Sequence, residues 1–412
     1  MLWGLLNAVR ALLSRRKAVQ HLPAGPPLPP APSLPPELIS LILKHVYSDS
    51  QRQVTLAACC LVSHAFRELA QPQVFRSVRL LSKKSMGRFV RSLKGYEECK
   101  GQVKRCLVFG KNEKVGAPRK TVGDILGECR ELRTLWVVGA VGVEDFADGS
   151  AHPSLRNLVV CRAEIHRQAG FIKAPPSSPR VVTIHPLFPN VTYLDLGHLI
   201  LDHSAVDLFS SVSFPSLHTL LISALYPVVA SPPTPSPYSA IFRSLGPQLR
   251  TISIEGVADE GEDGDRLLPF VRNTYPLLTT LHIETHPGNI GLVLRLLDAP
   301  LLEHVHLRPY LSPSPDPLSF ADTLEIASFA RDLVERIRTG LVDHWNVFET
   351  GNLQKIWLPV EVEIGARPRG LLAVKGIQVE VDELKRGVKV DSAEFVKLFD
   401  DMEDEEMKEE AA

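Results

Sequence analysis

Down most of the chain the apolar residues recur in one pattern, apolar-x-x-apolar-x-apolar. It opens at Val103 (VKRCLVF), Leu132 (LRTLWVV), Leu155 (LRNLVVC), Val191 (VTYLDLG), Leu217 (LHTLLIS), Leu249 (LRTISIE), Leu278 (LTTLHIE), Leu302 (LEHVHLR) and Leu353 (LQKIWLP). The nine copies are separated by 29, 23, 36, 26, 32, 29, 24 and 51 residues. Each copy predicts a short strand, several entered through a proline turn, as in HPSLRNL, FPNVTYL, FPSLHTL, GPQLRTI and YPLLTTL. Helical spacing lies between them, at Ser204 to Val212, Tyr238 to Leu245, Asp265 to Asn273, Asn289 to Leu297 and Ala321 to Arg338. Strand, helix, strand at this short period predicts a parallel sheet curved into an arc, with helices on the convex side. The last interval holds a long helix and marks either a cap or a departure from the array.

A strand's period of two assigns the faces. The first apolar position lies in the entering turn, the fourth and sixth point into the core, and the third, fifth and seventh point to the concave side. The concave candidates are Trp136, Tyr193, Asp195 and Glu255, then His282, Glu284, His304, His306, Arg308 and Trp357. Aromatics at both ends with a His/Glu/Arg group between them suit recognition of a client protein, where Trp, Tyr and Arg tend to carry the binding energy. His282, Glu284, His304 and His306 have the residue types of a zinc site, but side chains on adjacent parallel strands converge without binding a metal, and none is expected.

Ahead of the array, LPPELISLILKHVYSDSQRQVTLAACCLVSHAFRELAQPQVFRSVRL (34–80) reads as helices. Pro35 and Pro36 suit a first turn, and Leu38, Ile39, Leu41, Ile42, Leu43 and Val46 follow almost without a break. After the polar Ser48 to Gln51 a second helix is expected from Arg52 to Leu69, stopped by Pro72, with one further turn at Gln71 to Phe75. So short a unit is too small to bury this apolar surface, which either meets a partner or docks on the downstream repeats.

The run Leu34-Pro35-Pro36-Glu37-Leu38, then Ile42 and Val46, then Cys59-Cys60-Leu61-Val62-Ser63-His64-Ala65-Phe66-Arg67, closing on Gln73-Val74-Phe75, resembles an F-box of the type abundant in fungi. Many F-boxes have Trp where this chain has Phe66. The repeats resemble the leucine-rich class loosely, since they lack its asparagine signature. The resemblance implies an α/β chain with an N-terminal three-helix F-box followed by an irregular leucine-rich-repeat-like solenoid. It implies further that Leu34, Pro35, Leu38, Leu41 and Ile42, helped by Leu61, Val62 and Phe66, meet the Skp-type adaptor of a cullin-RING (SCF-type) ubiquitin ligase.

The ends add three segments. Residues 1–20 put Leu2, Leu5, Leu6, Val9, Leu12 and Leu13 on one helical face with Arg10, Arg15, Arg16 and Lys17 largely off it. Such a basic amphipathic helix lies on an anionic membrane, acts as a transit peptide, or packs on the body. A proline-rich linker (21–33) follows, and 22–36 hold eight prolines. Beyond the array (81–360) come a cap or extension (361–399) and an acidic tail (400–412) with eight carboxylates and one Lys.

Composition narrows the function. Basic residues number 46 and acidic ones 47, a net charge of −1 that argues against a nucleic-acid partner held by global charge. The 44% hydrophobic content can build a core, and the 33 prolines fall largely in the linker and the repeat turns. Six scattered cysteines make no Cys-x-x-Cys pair and read as reduced thiols of a cytoplasmic or nuclear protein. No phosphate loop, nucleophile elbow, zinc-protease or dinucleotide motif occurs, so the expectation is a receptor without catalytic residues or cofactor. The alternatives are a repeat scaffold outside any ligase, and a membrane- or organelle-associated protein led by residues 1–20.

Overall fold

The computed structural model describes residues 34–46, 52–95, 97–109, 121–138, 151–161, 164–165, 186–197, 200–201, 208–223, 237–257, 268–286, 289–311, 320–340 and 351–382. The expected N-terminal helix, the linker 21–33 and the acidic tail lie outside them.

An open, wholly parallel sheet of eleven strands forms the body. Its strands in spatial order are β1 (Ser77–Leu80), β2 (Arg105–Phe109), β3 (Thr134–Val138), β4 (Asn157–Cys161), β6 (Tyr193–Gly197) and β8 (Thr219–Ser223). Then come β9 (Thr251–Val257), β10 (Thr280–Thr285), β11 (His304–Pro309), β12 (Lys355–Pro359) and β13 (Gln378–Asp382). Between β4 and β6 and between β6 and β8 lie the two-residue strands β5 (Glu164–Ile165) and β7 (Ile200–Leu201), which pair with each other. All nine copies of the repeat pattern become strands, each starting two residues after its first apolar position. The sheet also extends past the array at both ends, through β1 and β13.

The repeat pattern works because each residue class has one destination. Leu135 and Val137, Leu158 and Val160, Leu194 and Leu196, and their successors enter a single core with the helices. The helices are α4 (Lys83–Gly95), α5 (Glu97–Lys100), α6 (Thr121–Glu128), α7 (Pro237–Leu245), α8 (Leu268–Val271), α9 (Ile290–Leu296), α10 (Phe320–Gly340) and α11 (Ala366–Val374). Within the stretch expected as helix over 265–273, the described residues form a single turn, α8.

Strands β4, β6, β8, β9, β10 and β11 are each entered through a tight turn whose first residue accepts a bond from the N–H three residues on. Leu155 N donates to His152 O, Val191 N to Phe188 O, Leu217 N to Phe214 O, Leu249 N to Gly246 O, Leu278 N to Tyr275 O and Leu302 N to Ala299 O, over 3.1–3.3 Å. Proline is the second residue of all six turns, where its fixed φ suits the turn and its missing N–H is not needed. Side chains stitch one turn to the last: Asn190 Nδ2 donates to Pro153 O at 2.7 Å, Ser216 Oγ to Pro189 O at 2.6 Å and Asn352 Nδ2 to Pro300 O at 2.6 Å.

Three N-terminal helices, α1 (Pro36–Val46), α2 (Arg52–Cys59) and α3 (His64–Arg76), hold a small separate core of Ile39, Leu43, Val46, Leu56, Phe66 and Ala70. The helix expected over 52–69 is therefore two. Ser63 adopts extended backbone (φ −157°, ψ 171°) and its hydroxyl accepts from Phe66 N–H at 3.2 Å, which starts a new helix. Pro72 does not stop that helix but lies within it. Its last turn is held from two sides, by Val74 against the small core and Phe75 against the main one. The chain then enters β1 directly. Ser63→Ala is expected to lower the melting stability of this unit by about 1 kcal/mol, read as an earlier shoulder in thermal unfolding; a superimposable melt would show that the cap is idle.

Candidate functional site

The first candidate surface lies on the three N-terminal helices. Leu34, Leu38, Leu41, Leu61 and Val62 are 47, 46, 53, 53 and 42% exposed, and Pro35 is exposed beside them. Two residues of the expected set behave otherwise. Phe66 is buried at 8% exposure within the small core and half-buried Ile42 packs against it, so Phe66 holds the unit together and offers no contact surface. The reason is geometric: Phe66 sits in the first turn after the Ser63 cap, four residues before Ala70 and so on the same face of the helix, and both belong to the small core. Cys59 and Cys60 are half-buried, and burial raises both thiols.

The second is the sheet face away from the helices. Adjacent strands pair without slippage from β4 to β9, so side chains at equal positions form rows across the sheet. The middle row runs Val159, Asp195, Leu221, Ser253, His282, His306, Trp357 and Glu380. Its two ends differ. On the early strands Leu107, Trp136, Val138, Val159 and Cys161 close on one another, with Phe109 and Tyr193 against them. Trp136 is 5% exposed and so is no contact residue: alternation gives the direction of a side chain but not whether its neighbours cover it.

On the later strands the row becomes a stack of rings. His282 lies on His306 with centroids 3.9 Å apart and planes 19° from parallel, and His306 lies on Trp357 at 4.2 Å and 2°. His304 meets Trp357 edge-on at 5.3 Å, and the Lys355 ammonium stands 5.5 Å from the Trp357 ring centre. Burial, and then the Arg308 charge, lowers the His282 pKa. Burial, followed by His282 and Arg308, pushes His306 down to about 4, so both rings are neutral at pH 7 and stack without charge repulsion. Among the described residues no group of three or more His, Cys, Asp or Glu is arranged to hold a metal.

Carboxylates stand beside the stack. Arg308 pairs in register with Glu284, yet its guanidinium donates to Asp382 of β13 at 2.9 Å. Ser223 Oγ donates to Glu255 at 3.4 Å. Burial first, and then the Glu255 charge, pushes Glu284 up to about 7 and Asp195 to about 8. The surface thus joins Tyr193, Asp195, Glu255, Glu284, His282, His304, His306, Arg308 and Trp357 and leaves Trp136 out. Asp382 was missed, although QVEVD (378–382) alternates as a strand does.

Among the described residues the cysteines are free, but burial pushes Cys129 to about 12 and Cys106 well up. No helix among the described residues is long and apolar enough to cross a membrane. No family model and no curated protein matches the chain.

Proposed function

We propose that the chain is the client-recognition subunit of an SCF-type ubiquitin ligase, an F-box protein that docks on a Skp-type adaptor through its N-terminal helices and holds a client on the open sheet face. One observation carries the reading: five large apolar side chains stand exposed on a unit whose own core is only six residues. Leaving that much apolar surface in water is unfavourable unless a partner covers it. The sequence LPPEL stands at the start of the same surface. The contact residues are Leu34, Pro35, Leu38, Leu41, Leu61 and Val62, with Ile42 behind them. The chain's role is then positional. It raises the local concentration of the client near the ubiquitin-charged enzyme and contributes no reacting group.

The test is capture of purified Skp-type adaptor by the full chain. Leu38→Asp and Leu41→Asp change exposed positions and spare the small core, so each should weaken capture by about tenfold or more while the far-ultraviolet circular dichroism stays the same. Failure of the wild type to bind the adaptor defeats the proposal. Undiminished binding by both variants moves the contact off α1.

A further inference from the structure

The ring stack has one free end. Past Trp357 the row continues to Glu380 on β13; past His282 it continues to Ser253 on β9, a side chain of two heavy atoms, and then to Leu221 on β8. The row therefore dips at Ser253, one strand wide, between the His282 ring and Leu221. Strands stand about 4.8 Å apart, and the ring-to-ring distances of 3.9 and 4.2 Å show that planar groups on this face stack across that spacing. A further planar group above Ser253 would continue the ladder.

The next row decides what that group is. Two residues beyond Ser253 is Glu255, and two beyond His282 is Glu284. The pairing of β9 with β10 slips there: Ile254 faces Ile283 but Val257 faces Thr285, so β9 carries an extra residue opposite Glu284. Such bulges re-aim side chains. Across the register from Glu284, Arg308 is drawn off to Asp382. Farther along the middle row, Asp195 has a buried side-chain oxygen, Oδ1, with no hydrogen-bond partner. A planar slot bordered by two carboxylates is matched by a guanidinium, which is flat, permanently cationic and able to donate several hydrogen bonds at once. A phenyl ring would fill the slot but add no charge to the partial compensation that Arg308 gives Glu284 and the Ser223 hydroxyl gives Glu255. An ammonium would meet the charge without stacking.

We infer that the sheet face holds an arginine-reading site, in which an arginine of the client lies over Ser253, stacks on His282 and is hydrogen-bonded by Glu255 and Glu284. The inference rests on the client-receptor reading and gives that client a chemical mark, an exposed arginine in an extended segment.

The experiment titrates the full chain, labelled at histidine, with acetyl-Gly-Arg-Gly-amide and with its lysine and citrulline counterparts, following the imidazole resonances of His282 and His306 by NMR. The arginine peptide should shift His282 more than His306. The lysine peptide, which cannot stack, and the citrulline peptide, which has no charge, should each bind at least about tenfold more weakly. E255Q and E284Q should each weaken the arginine peptide by about tenfold, and Ser253→Leu, which fills the slot, should remove the His282 shift. No saturable shift with the arginine peptide, equal binding of the lysine peptide, or unchanged binding by E255Q and E284Q overturns the site. Adaptor capture does not involve these residues, so the loss of this site and the loss of the ligase reading are separate results.

Discussion

Phe214→Ala is expected to cost about 3–5 kcal/mol of unfolding free energy. Phe214 is wholly buried and stands before Pro215 in the turn that enters β8. Its ring stacks on Phe188 of the preceding repeat at 4.9 Å and 21°, with Phe209 at 6.2 Å and 14° on another side. His152 extends the column, 5.7 Å from Phe188. One repeat farther on the slot before proline holds Gly246, and there a Cβ would lie 3.0 Å from the Tyr275 ring, so the aromatic of the following repeat reaches into the space. The column is thus filled from repeat to repeat, and the parallel ladder fixes the spacing of the repeats, so the void left by alanine has little room to collapse. Leu221→Ala, on the open face where Leu221 is half-buried, should cost less than about 1 kcal/mol. Urea unfolding of the two variants checks the contrast. A loss at Phe214 no greater than at Leu221 would mean that the column contributes no more than surface packing.

The aromatic column shows which features a sequence pattern exposes. Nine strands were legible because each repeat puts two inward apolar positions at a fixed distance behind a third, in most copies directly after a tight turn, often with proline, a signal confined to seven residues and repeated. The two outer strands carry the same physics in disguise. In β1 the pattern Phe75-x-x-Val78-x-Leu80 overlaps the last turn of α3, so the helical reading of the preceding residues absorbed it. In β13 the alternation of Ile377, Val379 and Val381 is flanked by charge, and the strand is half exposed as the sheet's last edge. The break of one helix at Ser63 was also within reach, since serine before a helical run is a capping signal, but Leu61 and Val62 made the run look continuous.

Contact surfaces were less legible than strands because period alone says which way a side chain points. Trp136 and Trp357 occupy the same position in their repeats, yet the first closes into an apolar cluster with its neighbours on β2 and β4, while the second forms the end of a ring stack flanked by Lys355. What separates them is the identity of residues on adjacent strands, Leu107 and Val159 in one case and His306 and Glu380 in the other. Phe66 and Leu61 differ in the same manner, one turned into a core and the other out of it.

Asp195→Asn is expected to stabilise the chain, and increasingly so as the pH rises. Asp195 stands between Val159 and Leu221 in its row, so its ionised form gains no compensating neighbour on either side. Burial, with the Glu255 charge second, lifts its pKa from 3.8 to about 8. The folded value lies above the unfolded one, so the folded chain retains a proton that the unfolded chain has already released. The stability that this proton supplies is complete below about pH 4 and drains away as the pH climbs toward 8, after which it is gone. Asparagine fills nearly the same volume and never ionises, so the variant should match the wild type near pH 4 and exceed it by on the order of a few kcal/mol at pH 9. Glu284, raised to about 7 by burial and by the same Glu255, gives both proteins a slope of the same sign between about pH 4.5 and 7; it cancels in the comparison as long as both are measured at each pH. Urea unfolding at pH 5 and pH 9 decides the matter. A gap between variant and wild type that is the same at both would mean that Asp195 ionises freely on the open face, and that this face is wetter than the burial of its Oδ1 implies.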